Sequence, residues 1–187
     1  MTLDRQRLTE GAIALALFGL TIPAANWMIG NAGAACVPNG PCLVPVWPGI
    51  MAPSGVLMVG LALVLRDIVQ RRLGTLAGLG AIAVGTLISA LLAPASIVVA
   101  SAAAFLLSEL ADFAVYTPLQ RRRFLTAVFA SGVVGLVVDS VVFLHLAFGN
   151  LDFLAGQIIG KTWMVLFALP LMILLRRRDE RLGLAPA

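Results

Sequence analysis

The sequence predicts an all-α integral membrane protein with six transmembrane helices and both termini in the cytoplasm. Of its 187 residues, 60% are hydrophobic and only 12% are charged, and the mean hydropathy is +1.01. Soluble domains carry about 25% charged residues. The apolar residues also occur in runs of roughly 20, the length that a helix needs to cross a bilayer. The connections are short, so we expect a single transmembrane domain over residues 1–187 and no soluble domain.

Six segments are long enough to span, and only one connection, residues 31–48, is long. The first apolar run follows arginines as in a signal peptide, but it lacks a convincing cleavage site and five further runs follow it, so we expect it to remain a helix. The predicted helices cover about 11–30, 50–70, 75–93, 96–118, 124–148 and 152–175.

The basic residues predict the orientation of these helices. Twelve of the thirteen Lys and Arg residues lie toward one face of the predicted bundle, and the thirteenth is Lys161. Cytoplasmic loops are enriched in Lys and Arg, so this face is predicted to be cytoplasmic. We interpret the arginines as topology signals and lipid headgroup contacts, except Arg66, for which an interfacial ion pair with Asp67 is expected. The pI of about 10.0 could suggest a nucleic-acid partner, but arginines at helix ends do not support one.

The long outer loop contains Cys36 and Cys42, separated by Val-Pro-Asn-Gly-Pro. The turn-forming residues could bring the two sulfurs together, and the predicted compartment is oxidising, where disulfides persist. A disulfide and two free thiols both remain open. Two cysteines without a nearby histidine make a poor metal site, so neither a metal nor a cofactor is predicted.

Helices 1 to 3 offer few chemical groups. Helix 1 contains Asn26, whose amide could either join helices or bind a polar ligand. Helix 2 begins near Ser54 and ends with Arg66 and Asp67. Helix 3 is rich in glycine, and we assign it to packing.

Helix 4 is polar along one face. Glu109 lies about fourteen residues, or roughly 21 Å, from the outer end, and Asp112 lies one turn deeper, where it could reach cytoplasmic water. We therefore favour Glu109 as a ligand-binding residue. The residues that share this face at intervals of three and four are Ser101, Phe105, Ser108, Glu109, Asp112 and Tyr116.

Helices 5 and 6 carry opposite charges at matched depth. Asp139 and Lys161 each lie about eleven residues from the turn at 149–152, so they are expected to pair in an antiparallel hairpin. Buried membrane charges are costly and usually mark a site. A polar core that only fixes helix packing is the simpler interpretation, and the pair of Asp139 and Lys161 would suffice for it. Glu109 and Gln157 are polar groups beyond that pair, which favours a ligand site. We interpret His145, nearer the outer end, as structural, with proton coupling as the alternative.

These central polar groups suit a flat heterocycle. A carboxylate can accept hydrogen bonds from the N–H and amine of a guanine-like edge, an amide or ammonium can donate to its carbonyl, and aromatic rings can cover its face. No HExxH or Ser-His-Asp arrangement is present, so an enzyme is not predicted. A channel is not predicted either, because the polar residues cluster instead of lining a path. The residues assigned to this site are Asn26, Glu109, Asp139, Gln157 and Lys161.

Several short motifs occur along the chain in a fixed order and spacing. They are Asn26-Trp27, Arg66-Asp67-Ile68-Val69, Glu109-Leu110-Ala111-Asp112, Val138-Asp139-Ser140 with Phe143, and Lys161 with Pro170. With this ordered set, the chain resembles the queuosine-precursor transporters of the vitamin-uptake-transporter family over residues of about 20 to 175. Two positions depart from that pattern: Arg66 stands where the family often has Thr, and Gln157 where it often has an acid.

The resemblance implies a multi-pass protein of the cell inner membrane that imports 7-deazaguanines such as 7-cyano-7-deazaguanine. It adds Asp112 to the substrate-binding residues, with Ser54, Asp67 and Phe105 as secondary candidates. Membrane lipid and a purine-like small molecule are the expected partners, and a homo-oligomer is left open. Two alternatives are a substrate-binding subunit of an energy-coupling-factor-type transporter, hinted at by the Ala12 and Ala16 pair, and a membrane scaffold without a ligand.

Overall fold

The computed structural model describes residues 3–38 and 40–183. These residues form six α-helices and three short strands. The helices are α1 Leu3–Asn31, α2 Val56–Leu73, α3 Thr75–Leu92, α4 Val98–Leu119, α5 Phe124–Phe148 and α6 Leu154–Leu182, and the strands are β1 Ala35–Cys36, β2 Cys42–Trp47 and β3 Ile50–Pro53.

Five of these helices, all except α2, are long and apolar enough to cross a membrane by length and composition. In each of the five, half or less of the apolar stretch is buried inside the protein, which leaves an apolar surface for lipid. The chain is thus largely α-helical and membrane-like, as predicted. Six crossings and cytoplasmic termini stay predictions.

Helix α2 differs because it carries four charged residues within its 18 positions. It contacts all five other helices, and thirteen of its residues are buried. Its charges therefore lie against protein and not lipid. By composition, helix α2 does not qualify as a membrane-spanning helix. It nevertheless lies at the centre of the bundle.

The outer loop forms a small antiparallel sheet in the order β1-β2-β3, which the sequence analysis did not predict. Residues 50–53, expected at the start of helix 2, form β3 instead and pair with β2, for example Val44 with Ala52. Helix α6 contacts this sheet closely, since a side chain at Gly156 would collide with the Met51 carbonyl. Trp163 Nε1 also donates a hydrogen bond of 3.1 Å to the Val46 carbonyl. The sheet therefore caps the end of the bundle beside α6.

Cys36 and Cys42 are opposite each other in the β1-β2 pair and are joined by a disulfide. Their Cα atoms are 3.8 Å apart. The disulfide closes the loop that contains Gly40 and Pro41. Of the two possibilities left open by the sequence, the structure has the bonded one.

The opposite end of the bundle contains an ion-pair network. Arg71 Nη2 lies 2.7 Å from Asp179 Oδ2, and Arg72 Nη2 lies 2.9 Å from Asp179 Oδ1. Arg72 Nε also lies 2.8 Å from Glu10 Oε2. Both arginines and Asp179 are buried. The interpretation of Arg71 and Arg72 as lipid headgroup contacts is therefore wrong: they join α2 to α1 and α6.

Candidate functional site

A cavity lies between the helices on the side of the bundle nearer the sheet. The volume in which the centre of a water-sized sphere can lie is about 70 Å³. By the same measure one water molecule needs roughly 10–15 Å³. Residues from all six helices line it, and most of them are apolar. The polar lining residues are Thr21, Asn26, Ser89, Ser101, Ser108, Glu109, Asp139 and Gln157.

The structure divides the predicted site residues into two sets. Those that line the cavity are Asn26, Phe105, Glu109, Asp139 and Gln157. Those that are buried behind its wall, without lining it, are Ser54, Asp67, Asp112 and Lys161.

Lys161 organises one wall of the cavity. It is completely buried, and its Nζ lies 2.5 Å from Asp139 Oδ2 and 2.8 Å from Ser140 Oγ. The same ammonium donates to Gln157 Oε1. Because an ammonium has no acceptor, this contact fixes the amide with its oxygen toward Lys161 and its NH₂ group away. Among the described residues, no hydrogen bond uses Gln157 Nε2 or Asp139 Oδ1, so a donor and an acceptor remain at the cavity.

Arg66 organises a buried ion network behind the cavity. It is completely buried, its Nε donates to Glu109 Oε2 at 3.0 Å, and its Nη1 donates to Gln70 Oε1 at 2.9 Å. Its Nη2 donates to Asp112 Oδ1, and its Nη1 lies 3.1 Å from Asp67 Oδ1. The sequence led us to expect an interfacial ion pair between Arg66 and Asp67. The pair is instead buried, and it belongs to a network between α2 and α4.

One expectation for the acids of α4 is wrong: Asp112 does not reach water, since it is fully buried and bonded to Arg66. Glu109 stays a predicted ligand residue, although its Oε2 already holds Arg66. Its other oxygen, Oε1, is used by no hydrogen bond among the described residues, and the residue lines the cavity. Glu109 therefore joins the ion network to the cavity.

The sequence analysis missed the role of Arg66 and the positions of Thr21, Ser89 and Phe143, all of which line or support the cavity. For Arg66 a signal was available. When Asp139 pairs with Lys161, the two acids of α4 have no cation, and apart from Lys161 the basic residue set furthest into an apolar run is Arg66.

The wall groups can recognise a planar polar molecule. Glu109 Oε1 and Asp139 Oδ1 are acceptors, and Gln157 Nε2 is a donor. Asn26 can serve as both, since no hydrogen bond among the described residues uses its side chain. Phe105 and Phe143 contribute aromatic surface to the same cavity. A few convergent polar groups in an apolar enclosure are typical of a small-molecule site.

A second cavity, of about 400 Å³, lies toward the loop end of the bundle. It shares Ile29 and Ile97 with the first cavity, and it is also lined by Gly40 and Pro41 of the disulfide-closed loop. Ile29 and Ile97 therefore separate the polar cavity from the space beneath that loop.

Residues 89–175 match the model of a family described as "Putative vitamin uptake transporter". Neither the curated proteins nor the solved structures give a match to the chain. The matched segment runs from the end of α3 through most of α6 and contains Glu109, Asp139, Gln157 and Lys161. This match supports the resemblance found in the sequence at the level of the family: the segment that supplies most of the polar wall of the cavity is similar to the vitamin-uptake-transporter model.

Proposed function

We propose that this chain imports a queuosine precursor, a 7-deazaguanine such as 7-cyano-7-deazaguanine, across the cell inner membrane, and that the base binds in the polar cavity. One observation carries the proposal. Glu109, Asp139 and Gln157 each use one side-chain atom to hold a buried cation and keep the other for the cavity.

The unused atoms match the polar edge of a guanine-like ring. That edge presents an N–H and an exocyclic amine, both donors, beside a carbonyl acceptor. Glu109 Oε1 and Asp139 Oδ1 can accept from the donors, and Gln157 Nε2 can donate to the carbonyl. A carboxylate that accepts from two neighbouring N–H groups gives strong, charge-assisted hydrogen bonds.

The cations behind these groups support recognition by holding them in place. Arg66 and Lys161 are completely buried and do not line the cavity, so they act on the ligand through Glu109, Asp139 and Gln157. A site whose polar groups are already oriented loses less conformational entropy when the ligand binds. The apolar remainder of the wall excludes water and strengthens the few polar contacts that are made.

The hydrogen-bond pattern can be tested with two ligands of nearly the same shape. We expect 7-cyano-7-deazaguanine to raise the melting temperature of the purified protein and 7-cyano-7-deazaadenine to bind at least about a hundredfold more weakly, because the adenine edge leaves buried groups unpaired. Equal affinity for the two would refute the guanine-edge assignment. Uptake of the guanine compound into vesicles containing only this protein completes the test.

A substrate-binding subunit of an energy-coupling-factor-type transporter is the second candidate. Ala12 and Ala16 are exposed on α1, where small residues would let a partner helix approach closely. Vesicles that contain the chain alone distinguish the two candidates. Uptake without any partner supports the importer, whereas binding with uptake only after addition of an energising complex supports the subunit. A ligand-free scaffold would bind neither deazapurine.

A further inference from the structure

The buried ion network around Arg66, which reaches the cavity through Glu109, holds more negative than positive charge. Asp67, Glu109 and Asp112 all contact the single guanidinium of Arg66, and each of the four residues is at most 1% exposed. With every group ionised, three carboxylates and one guanidinium leave a formal charge of −2 inside the bundle. Uncompensated buried charges are strongly unfavourable.

Two basic side chains close to this cluster are held by other acids. From α5, Asp139 adds a carboxylate, and Lys161 of α6 balances that carboxylate alone. Arg71, one turn beyond on α2, is held by Asp179. The other polar groups near the cluster are neutral: Gln70, Tyr116 and Ser131.

Two buried carboxyl oxygens in this cluster, Asp67 Oδ1 and Asp112 Oδ2, accept no hydrogen bond from the residues that the structure describes. Both carboxyl groups lie against the same end of one guanidinium, with Asp67 Oδ1 3.1 Å from Arg66 Nη1 and Asp112 Oδ1 bonded to Arg66 Nη2. Ionised carboxylates are acceptors only, whereas a protonated carboxyl group is also a donor. A single proton on this pair would supply a donor and reduce the excess charge by one.

We propose that Asp67 and Asp112 form a proton-binding site, and that one proton bound there enters the cell with each substrate molecule. This inference rests on the proposed import function and adds its driving force. The proton forms an O–H bond with one carboxyl oxygen on the outer side and leaves to water on the cytoplasmic side, so the step needs no other reactant.

Arg66 connects the proton site to the substrate site. Its Nη2 holds Asp112, and its Nε holds Glu109, whose other oxygen faces the cavity. Arg66 contacts the three acids through three different nitrogens, so Glu109 is held in either state. A proton on Asp67 or Asp112 weakens their attraction for the guanidinium, so Arg66 interacts more strongly with Glu109 and holds it in its binding orientation. Protonation therefore favours substrate binding, and by linkage the substrate favours protonation, which is the sign that co-transport requires.

The proton can be detected without any substrate. A protonated carboxyl has an infrared band that differs from that of a carboxylate and shifts in D₂O. We expect this band in the purified wild-type protein at neutral pH, and we expect Asp112→Asn to remove it. Asp152→Asn, which changes an exposed acid in the α5–α6 turn, is the matched control and should leave the band unchanged. Absence of the band from the wild type would overturn the proposal.

Should Asp112→Asn fail to fold, Asp67→Asn tests the same pair, since the shared proton needs both acids. Folding of each variant is checked by its melting curve and its elution as a single species. A band that persists in a folded variant of either acid would place the proton elsewhere and also overturn the proposal.

Vesicles then test the coupling itself. With one proton per substrate, each unit of inward pH gradient should support about tenfold accumulation of 7-cyano-7-deazaguanine, because every factor of ten in concentration equals about 1.4 kcal/mol. A pH dye inside the vesicles should report acidification on substrate addition. Asp112→Asn should lose gradient-driven accumulation, whereas Asp152→Asn should retain it.

The failures of the two proposals are distinguishable. Wild-type vesicles that move no deazaguanine would refute the proposed function, while the infrared band would still decide whether the proton site exists. Wild-type vesicles that accumulate deazaguanine with no response to a pH gradient would refute proton coupling and leave the proposed function standing.

Discussion

Lys161 Nζ lies 2.5 Å from Asp139 Oδ2 inside the α5–α6 hairpin, and the lysine is completely buried. Two further acceptors, Ser140 Oγ and Gln157 Oε1, complete the three hydrogen bonds that an ammonium can donate. The charge is therefore fully satisfied by protein. This arrangement also fixes which atoms of Asp139 and Gln157 remain for the cavity.

Removing one partner of this pair should destabilise the protein. Lys161→Met leaves the Asp139 carboxylate without its cation, and Asp139→Asn leaves the ammonium without its anion. Breaking a buried ion pair costs about 3–5 kcal/mol, because an uncompensated charge stays behind. We expect each single variant to lose stability of that order in unfolding experiments in detergent micelles.

The double variant Lys161→Met with Asp139→Asn should recover part of this loss, since no unpaired charge remains. Asp152→Asn, at an exposed position, is the control and should be nearly neutral. Additive losses in the double variant would mean that the two side chains contribute independently and are not energetically coupled.

The disulfide between Cys36 and Cys42 should resist alkylation in the folded protein. Intact-mass measurement after alkylation without reductant is expected to give no adducts, and reduction should then give two. Two adducts on fully folded, unreduced protein would contradict the pairing. Replacing both cysteines with serine should cost about 2 kcal/mol, because the bond closes only a short loop.

Residue-specific labelling tests the orientation of the bundle. An impermeant thiol reagent added outside should reach a cysteine at Asn150, which lies exposed in the α5–α6 turn. It should not reach one at Arg122, which is exposed in the α4–α5 turn at the other end. Gln120, two residues earlier, is buried, so a cysteine there would be protected on either side of the membrane and would not report orientation. Labelling at Arg122 only would reverse the predicted topology.

The parts of the site that follow from chain geometry were predictable. Asp139 and Lys161 lie equally far from the turn that joins their helices. Their relative depth is therefore fixed independently of how the other helices pack. Arg66 was harder, because its depth depends on how α2 packs against α4, and its neighbour Arg71 suggested a membrane boundary. The sheet was missed because residues 42–53 contain prolines and glycine that favour a loop, and only the pairing with β2 makes residues 50–53 a strand.

The contacts of Glu109 predict what Glu109→Gln should do to the protein without ligand. The glutamine oxygen can still accept from Arg66 Nε, and Arg66 keeps Asp67 and Asp112 as partners. The variant also removes one of the excess negative charges. We therefore expect a loss of only about 1 kcal/mol, the value of a typical buried hydrogen bond, and so a small shift of the melting temperature in the absence of ligand.

Ligand binding by Glu109→Gln should fall far more than stability. With its oxygen held by Arg66, the new amide presents NH₂ to the cavity, where Glu109 presented an acceptor. Donor would then face donor at the guanine-like edge, and unmatched buried polar groups discriminate strongly. We expect 7-cyano-7-deazaguanine to bind at least about a hundredfold more weakly, whereas Ser101→Ala, a conservative change in the same cavity wall, should reduce affinity by less than about tenfold. Titration calorimetry on the three proteins gives the comparison. Wild-type affinity in Glu109→Gln would mean that the carboxylate does not read the base, and the assignment of the cavity as a guanine-edge site would be wrong whatever the family.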